Sequence, residues 1–299
     1  MKGKMILLFA GKLLICSFTF IIGSILGSML ATFLGLQQPP MPEGVDSAFA
    51  FFLLMLESPL MIFALALITR GLGGGLLPRA LTLSFFMWVT YTLNTAVEAL
   101  AFTTTTVSGA LFTAVAFLVP SLLCGLVVAR LFPTGEQPES FSTLAKRFFG
   151  RRTAVAWLWR IGLAAVIFVP IYILFGSIVA PLTAEYFQQN MYGLRQPGQS
   201  EMLLVLMVRS LLFFYASLPI IVLWQRSNRE LFLKLGFALF VLVGFLYMLG
   251  AYYMPLEIRV PHTLEILAGS FAYAGILVVL LASHWNRPEQ MFKTRVISS

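Results

Sequence analysis

The chain has 299 residues, of which 59% are hydrophobic and only 11% are charged, and its mean hydropathy is +0.91. A soluble domain carries about a quarter charged residues, so this chain cannot cover a water-facing surface and must contact lipid. The formal net charge is +8, but the basic residues form short clusters between apolar runs, which is typical of membrane-protein loops and argues against a nucleic-acid partner.

Eight apolar runs are long enough to cross a bilayer, since a membrane-spanning helix needs about 20 mostly apolar residues. No run shows the alternation that is typical of a lipid-facing β-barrel. The predicted fold is therefore an all-α, polytopic membrane helix bundle with about eight transmembrane helices. The predicted spans are residues 8–35, 47–69, 80–102, 107–131, 154–181, 202–224, 231–253 and 261–284.

Positive charge alternates from one loop to the next. Lys and Arg cluster at the N-terminus, in the even-numbered loops and in the tail, whereas the odd-numbered loops hold at most one Arg each. The positive-inside rule then predicts an integral plasma (inner) membrane protein with cytoplasmic N- and C-termini. The residues that carry this prediction are Lys2, Lys4, Arg70, Arg79, Lys146, Arg147, Arg151, Arg152, Arg226, Arg229, Arg287, Lys293 and Arg295.

The basic cytoplasmic loop 135–152 divides the chain into two halves of four predicted spans, 1–134 and 153–299, the second of which ends in a cytoplasmic tail. The segment "FIIGSILGSMLATFLGL" in span one resembles "YILFGSIVAPLTAEYFQ" in span five. This similarity suggests two parallel four-helix repeats related by an axis along the membrane normal. Apolar helices also resemble one another by composition alone, so both interpretations stay open.

Ionisable side chains inside a span are costly and usually face a cavity or a partner. Counted along the helices, those of spans two, three, six and eight fall in the outer half of the membrane or at its centre. We therefore predict an outward-facing polar cavity that these four spans enclose. Its predicted residues are Glu57, Asn94, Glu98, Arg209, Arg259, His262 and Glu265.

Two of these residues carry opposite charge and suggest a pair. Glu57 and Arg209 each precede a serine, Ser58 and Ser210, and would occupy equivalent positions if the halves are repeats. An ion pair would relieve the desolvation cost of both groups, so we predict a Glu57–Arg209 salt bridge. Such a pair also has a purely structural explanation, which is to fix the register of two helices.

The stretch "EIRVPHTLEI" (257–266) combines charged groups with a proline at the predicted start of span eight. Pro261 suits the first position of a helix, and His262 and Glu265 share a helix face because they are three residues apart. Together with Glu98 they offer the ligand types of a divalent metal site. His284 lies at the other end of the same span and cannot join them.

Two further residue types are predicted to serve packing. Cys16 and Cys124 form no CxxC motif and suit the role of small apolar fillers. Gly23 and Gly27 in span one are predicted to allow close contact with a neighbouring helix.

The polar residues fit three kinds of function. A transporter for an ion or small molecule is the leading hypothesis, because a carboxylate deep in the membrane binds a proton or cation and an Arg binds an anion. The first alternative is an intramembrane enzyme with a His/Glu metal or acid–base site. The second alternative is a sensor or assembly factor that binds a lipid or a partner. The sequence leaves open the oligomeric state, the need for a partner subunit and the identity of any ligand beyond the lipid bilayer.

Overall fold

The computed structural model describes residues 2–40, 45–134 and 139–282. Within these ranges the chain forms helices and no strand, and eight of the helical segments are long and apolar enough to cross a membrane. The predicted all-α helix bundle of eight spans is therefore confirmed. His284, the tail residues Arg287, Lys293 and Arg295, and the first part of the basic loop lie outside the described residues.

The first four spans contain six α-helices and one wide π-helical turn. Span one is α1 (Lys2–Phe33) and span two is α2 (Ser47–Thr69). Span three consists of α3 (Leu76–Met87), a π-helical turn (Trp88–Leu93) and α4 (Asn94–Phe102). Span four consists of α5 (Val107–Ala116) and α6 (Leu118–Leu131).

The remaining helices begin with a short one that does not cross the membrane, α7 (Phe141–Phe149). Span five consists of α8 (Ala154–Val166) and α9 (Phe168–Gln188), and span six is α10 (Gln199–Leu223). Span seven consists of α11 (Asn228–Phe240), a π-helical turn (Val241–Phe245) and α12 (Leu246–Gly250). Span eight consists of α13 (Leu256–Leu277) and a π-helical turn (Val278–Ala282).

Helix α7 lies inside the range that the sequence predicts as a basic loop. It is amphipathic: Leu144 and Phe148 are buried, whereas Phe141 and Phe149 stay exposed. The Phe148 ring lies 4.9 Å from the Trp157 ring, and the Trp157 indole N–H donates a hydrogen bond of 2.7 Å to the carbonyl of Phe149. The connection between the halves is therefore packed against the start of span five.

The second and sixth connections meet at one end of the bundle, which we call the even-loop end. The Gly73 N–H donates to the Leu223 carbonyl at 2.7 Å, and the Gln225 N–H donates to the Gly71 carbonyl at 2.9 Å. A Cβ at Gly71 would lie 2.3 Å from the Trp224 ring, so a larger residue would not fit in this contact.

The third and fifth connections meet at the opposite end, which we call the odd-loop end. Here the Thr104 N–H donates to the Gly193 carbonyl at 3.2 Å, and the Arg195 N–H donates to the Phe102 carbonyl at 2.8 Å. The Arg195 side chain also pairs with Glu201. The loops therefore sort by number, with even-numbered and odd-numbered connections at opposite ends.

Spans three and six lie at the centre of the bundle. About 67% and 61% of the residues in their most apolar windows are buried, against 22% in spans one and five. Helix α10 packs on α3 and α4 of the first half and on α8 and α9 of the second. The two halves thus form one bundle, and their interpretation as repeats stays a prediction.

Span eight begins earlier than predicted, which corrects the role of Pro261. Helix α13 starts at Leu256 after Pro255, and Glu257 in its first turn suits the positive end of the helix dipole. Pro261 therefore lies inside the helix instead of at its first position. His262 and Glu265 consequently lie deeper in the bundle than the sequence predicts.

Candidate functional site

Span three supplies two polar side chains just after its π-helical turn. The backbone N–H of Asn94 donates to the carbonyl of Val89, five residues back, which widens the helix at this point. Asn94 and Glu98 follow one turn apart and share a face of α4. Asn94 is fully buried, whereas 36% of the Glu98 side chain is exposed. Wide turns of this kind are frequent at functional sites.

Arg209 of span six lies against this pair. Its Nε donates a 2.8 Å hydrogen bond to Asn94 Oδ1, and its guanidinium forms a 3.1 Å salt bridge with Glu98 Oε1. The side chain is only 4% exposed. Three aromatic rings surround the guanidinium carbon at 5.4–5.8 Å, and they belong to Phe168, Tyr172 and Phe213. The charge of Arg209 is therefore both paired and held by cation–π contacts.

Span eight supplies a second polar pair. His262 Nδ1 lies 2.9 Å from Glu265 Oε2, and the two side chains are 24% and 10% exposed. The other carboxylate oxygen of Glu265 points toward Gly176 of span five, where a Cβ would lie only 3.3 Å away. Because Gly176 has no side chain, there is room at this point for the Glu265 carboxylate.

Glu98, Arg209, His262 and Glu265 line one cavity of about 250 Å³ in the half of the bundle nearest the odd-loop end. They are the acidic and basic side chains of its lining. Aromatic rings form much of the remaining wall, namely Phe102, Phe168, Tyr172, Phe175, Phe187, Phe213, Tyr247 and Tyr273. The cavity thus has a mostly apolar, aromatic wall with a small number of converging polar groups, which is the usual composition of a small-molecule site.

A second cavity of about 450 Å³ adjoins the first. It lies along α9 and the start of α10. The two cavities share five lining residues, which are Phe102, Tyr172, Phe187, His262 and Glu265.

The predicted Glu57–Arg209 salt bridge is wrong. Arg209 pairs with Glu98 and Asn94, while Glu57 Oε1 is buried, has no hydrogen-bond partner within the described ranges, and lies against Gly250. The reason is the helix arrangement: α2 packs on α1, α6, α11 and α12, whereas α10 packs on α3, α4, α8 and α9. Glu57 is consequently outside the cavity.

Glu57→Gln is expected to leave the stability of the protein unchanged or to raise it. The buried oxygen has no partner to lose, and a neutral amide costs less to bury than a carboxylate. A salt-bridged Glu57 would instead cost about 3–5 kcal/mol when neutralised. Thermal unfolding in detergent micelles separates the two cases, and a clear drop in melting temperature would restore the predicted bridge.

Arg259 also lies outside the cavity lining, contrary to the prediction. Its Nε donates to the Met248 carbonyl at 2.7 Å and a terminal nitrogen donates to the Leu249 carbonyl at 3.3 Å. These carbonyls belong to the last turn of α12, whose backbone acceptors have no intrahelical partner. Arg259 therefore caps span seven.

The predicted metal site of His262, Glu265 and Glu98 is wrong as well. Within the described ranges, no three His, Cys, Asp or Glu side chains are close enough to hold a metal ion together. The physical reason is that Glu98 pairs with Arg209 of span six and does not join the His262–Glu265 pair of span eight.

Sequence reasoning missed the walls that spans five and seven contribute. Tyr172 and Gly176 come from span five, and Tyr247 comes from span seven. Gly176 and Ser177 are adjacent small residues within an otherwise bulky apolar run. This pattern could have indicated that side chains leave open space along this face of span five. Tyr247 has no such signal, because aromatic residues in a span serve packing and lipid contact equally well.

Comparison of the chain with protein-family models, with curated proteins and with solved structures gives no match. Its classification therefore depends on its own residues. Eight apolar helices of spanning length make the chain an integral membrane protein whose environment is the lipid bilayer.

Proposed function

We propose that the protein is a transporter whose cavity binds an organic cation with an apolar body. The observation that carries this proposal is the charge of the cavity: two carboxylates, Glu98 and Glu265, face one guanidinium, Arg209. The carboxylates of the lining therefore outnumber its permanent cations by one.

The excess charge belongs to Glu265. Glu98 has Arg209 at 3.1 Å, whereas among the described residues the only side chain that forms a hydrogen bond or ion pair with Glu265 is His262. A carboxylate without a permanent cation is expensive inside a membrane protein. A cationic ligand or a proton would relieve that cost, so the site favours an exchange of one for the other.

The wall of the cavity supports an organic cation over a hydrated metal ion. Its aromatic rings offer negative faces to a cation and apolar contact to the rest of the ligand. Arg209, which is surrounded by Phe168, Tyr172 and Phe213, already occupies part of this wall in the same manner.

Irregular helices next to the cavity support a moving site. The π-helical turn Val241–Phe245 supplies Val243 and Gly244 to the lining, and α9 and α13 contain Pro181 and Pro261. Such turns and prolines weaken helix hydrogen bonding locally and mark points where a helix bends. Transport needs bending of this kind, whereas simple binding does not.

The orientation that we propose places both termini in the cytoplasm of a plasma (inner) membrane. It is supported by the basic residues of the even-numbered connections. The odd-loop end has far fewer basic residues, so the positive-inside rule puts it outside. The cavity would then open from the outer side.

Glu265→Gln is expected to weaken binding of benzyltrimethylammonium by about 10- to 100-fold, because a charge-assisted contact contributes about 1.5–3 kcal/mol. Isothermal titration calorimetry of the protein in lipid nanodiscs measures this change. Glu257→Gln is the matched control, since Glu257 is exposed in the first turn of the same helix and does not line the cavity. Absence of binding to the native protein, or equal losses in both variants, would contradict the proposal.

Transport itself is tested in liposomes that contain the purified protein. Uptake of the radiolabelled cation is expected to depend on a pH gradient and to fall at least tenfold in the Glu265→Gln variant. Binding without uptake would overturn the transporter assignment and favour the alternative of a ligand-binding sensor or assembly factor.

A further inference from the structure

The two cavities meet at a single polar junction. His262 and Glu265 line both of them, as do the rings of Phe102, Tyr172 and Phe187. The two cavities are therefore neighbours along α9 and α13, which both of them border.

The Glu265 carboxylate is directed toward the second cavity. Its side chain is nine-tenths buried, and its Oε2 atom is occupied by His262. Its Oε1 atom has no hydrogen-bond donor among the described residues and lies next to Gly176, which lines the second cavity. An ionised carboxylate oxygen is a hydrogen-bond acceptor, so this atom can accept from a ligand in the second cavity.

The second cavity also reaches the outer surface of the bundle. Small residues of α9 form its floor, and two of them, Ser177 and Ala180, are exposed. The neighbouring side chains Ile178 and Leu182 are 64% and 61% exposed, as expected of residues that face lipid chains. The cavity is thus a groove that opens sideways toward the bilayer.

We propose that the two cavities form one site for a single-chain alkylammonium, which enters from the bilayer. Its cationic head lies at the junction, next to Glu265 and the aromatic rings, and its alkyl chain lies in the groove along α9. This inference rests on the proposed function for the charge of the ligand. It adds the shape of the ligand and the route by which it enters.

Chain length is the variable that tests the groove. In nanodiscs, with empty nanodiscs subtracted, the affinity of tetramethyl-, butyltrimethyl-, hexyltrimethyl- and octyltrimethylammonium is expected to increase about two- to fourfold for each methylene that enters the groove. Affinity that does not change from butyl to octyl would overturn the inference. Failure of every compound to bind would overturn the proposed function instead.

Ala180→Trp fills the groove without changing the charged junction. We expect this variant to remove the dependence of affinity on chain length. The affinity for tetramethylammonium, which has no alkyl chain to place in the groove, is expected to change by less than about twofold, which is less than the roughly fourfold change that burial of one methylene gives. Ser177→Phe is a second variant with the same expected result, which protects the test against misfolding of the first. Both positions are exposed, so neither substitution overpacks the core.

Ile178→Trp is the matched control, because Ile178 lies on the same helix, is exposed, and does not line either cavity. It is expected to keep the full dependence on chain length. If Ala180→Trp and Ser177→Phe also keep it, the groove holds only bilayer lipid and the inference is wrong.

Discussion

Arg209→Ala is expected to destabilise the protein by about 3 kcal/mol, the lower end of the range for breaking a buried ion pair. Removal of the guanidinium leaves Glu98 and Asn94 Oδ1 without their shared donor. The lower end applies because 36% of the Glu98 side chain is exposed and solvent stabilises part of its charge. Three aromatic rings also lose their cation.

A double variant separates the charge effect from a loss of packing. Arg209→Met with Glu98→Gln removes both charges and keeps most of the side-chain volume, and such replacements are often neutral. We therefore expect it to recover most of the stability lost in Arg209→Ala. Reversible denaturation in mixed micelles gives the free energies of unfolding. A double variant as unstable as the single one would show that the ion pair is not the reason.

Gly27→Ala is expected to destabilise the protein by about 1–3 kcal/mol, because overpacking forces a shift of the backbone. A Cβ at this position would lie 1.9 Å from the carbonyl oxygen of Ala116 in α5. One turn earlier, a Cβ at Gly23 would lie 2.6 Å from the Cα of Pro120. Both contacts are with backbone atoms, which cannot rotate away as a flexible side chain would.

The same helix contains the matched control for this prediction. No heavy atom lies within 4 Å of a Cβ placed at Gly11, so Gly11→Ala adds a methyl group in open space. Alanine favours helix formation over glycine by about 1 kcal/mol, and this control is expected to be neutral or slightly stabilising. Equal melting temperatures for Gly27→Ala and Gly11→Ala would show that spans one and four are not held at this distance.

Much of the fold follows from local composition. Each span is an apolar run long enough to cross the bilayer, and no knowledge of its neighbours is needed to recognise it. The presence of Asn94, Glu98, Arg209, His262 and Glu265 in one half of the bundle also follows, since helical rise places residues at a depth along each span. All of them except Asn94 line the cavity, and Asn94 holds Arg209.

The partners of these residues do not follow from the sequence. Glu57 and Glu98 are both carboxylates within predicted spans, and by residue type and depth either one could pair with Arg209. The choice is made by helix packing, which brings α4 and not α2 against α10. Depth alone similarly predicts that Arg259 lies at the cavity. Its side chain instead points to another side of the helix and donates to the Met248 carbonyl at the end of α12.

The sequence by itself determined the membrane environment, the eight spans and the half of the bundle in which the cavity residues lie, because hydropathy and helical rise are properties of one segment at a time. Only the tertiary structure decided that Arg209 pairs with Glu98, that Glu265 pairs with His262 among the described residues, and that a second cavity along α9 adjoins the first. These features depend on the rotation and neighbours of each helix, which are set by packing contacts between residues far apart in the chain.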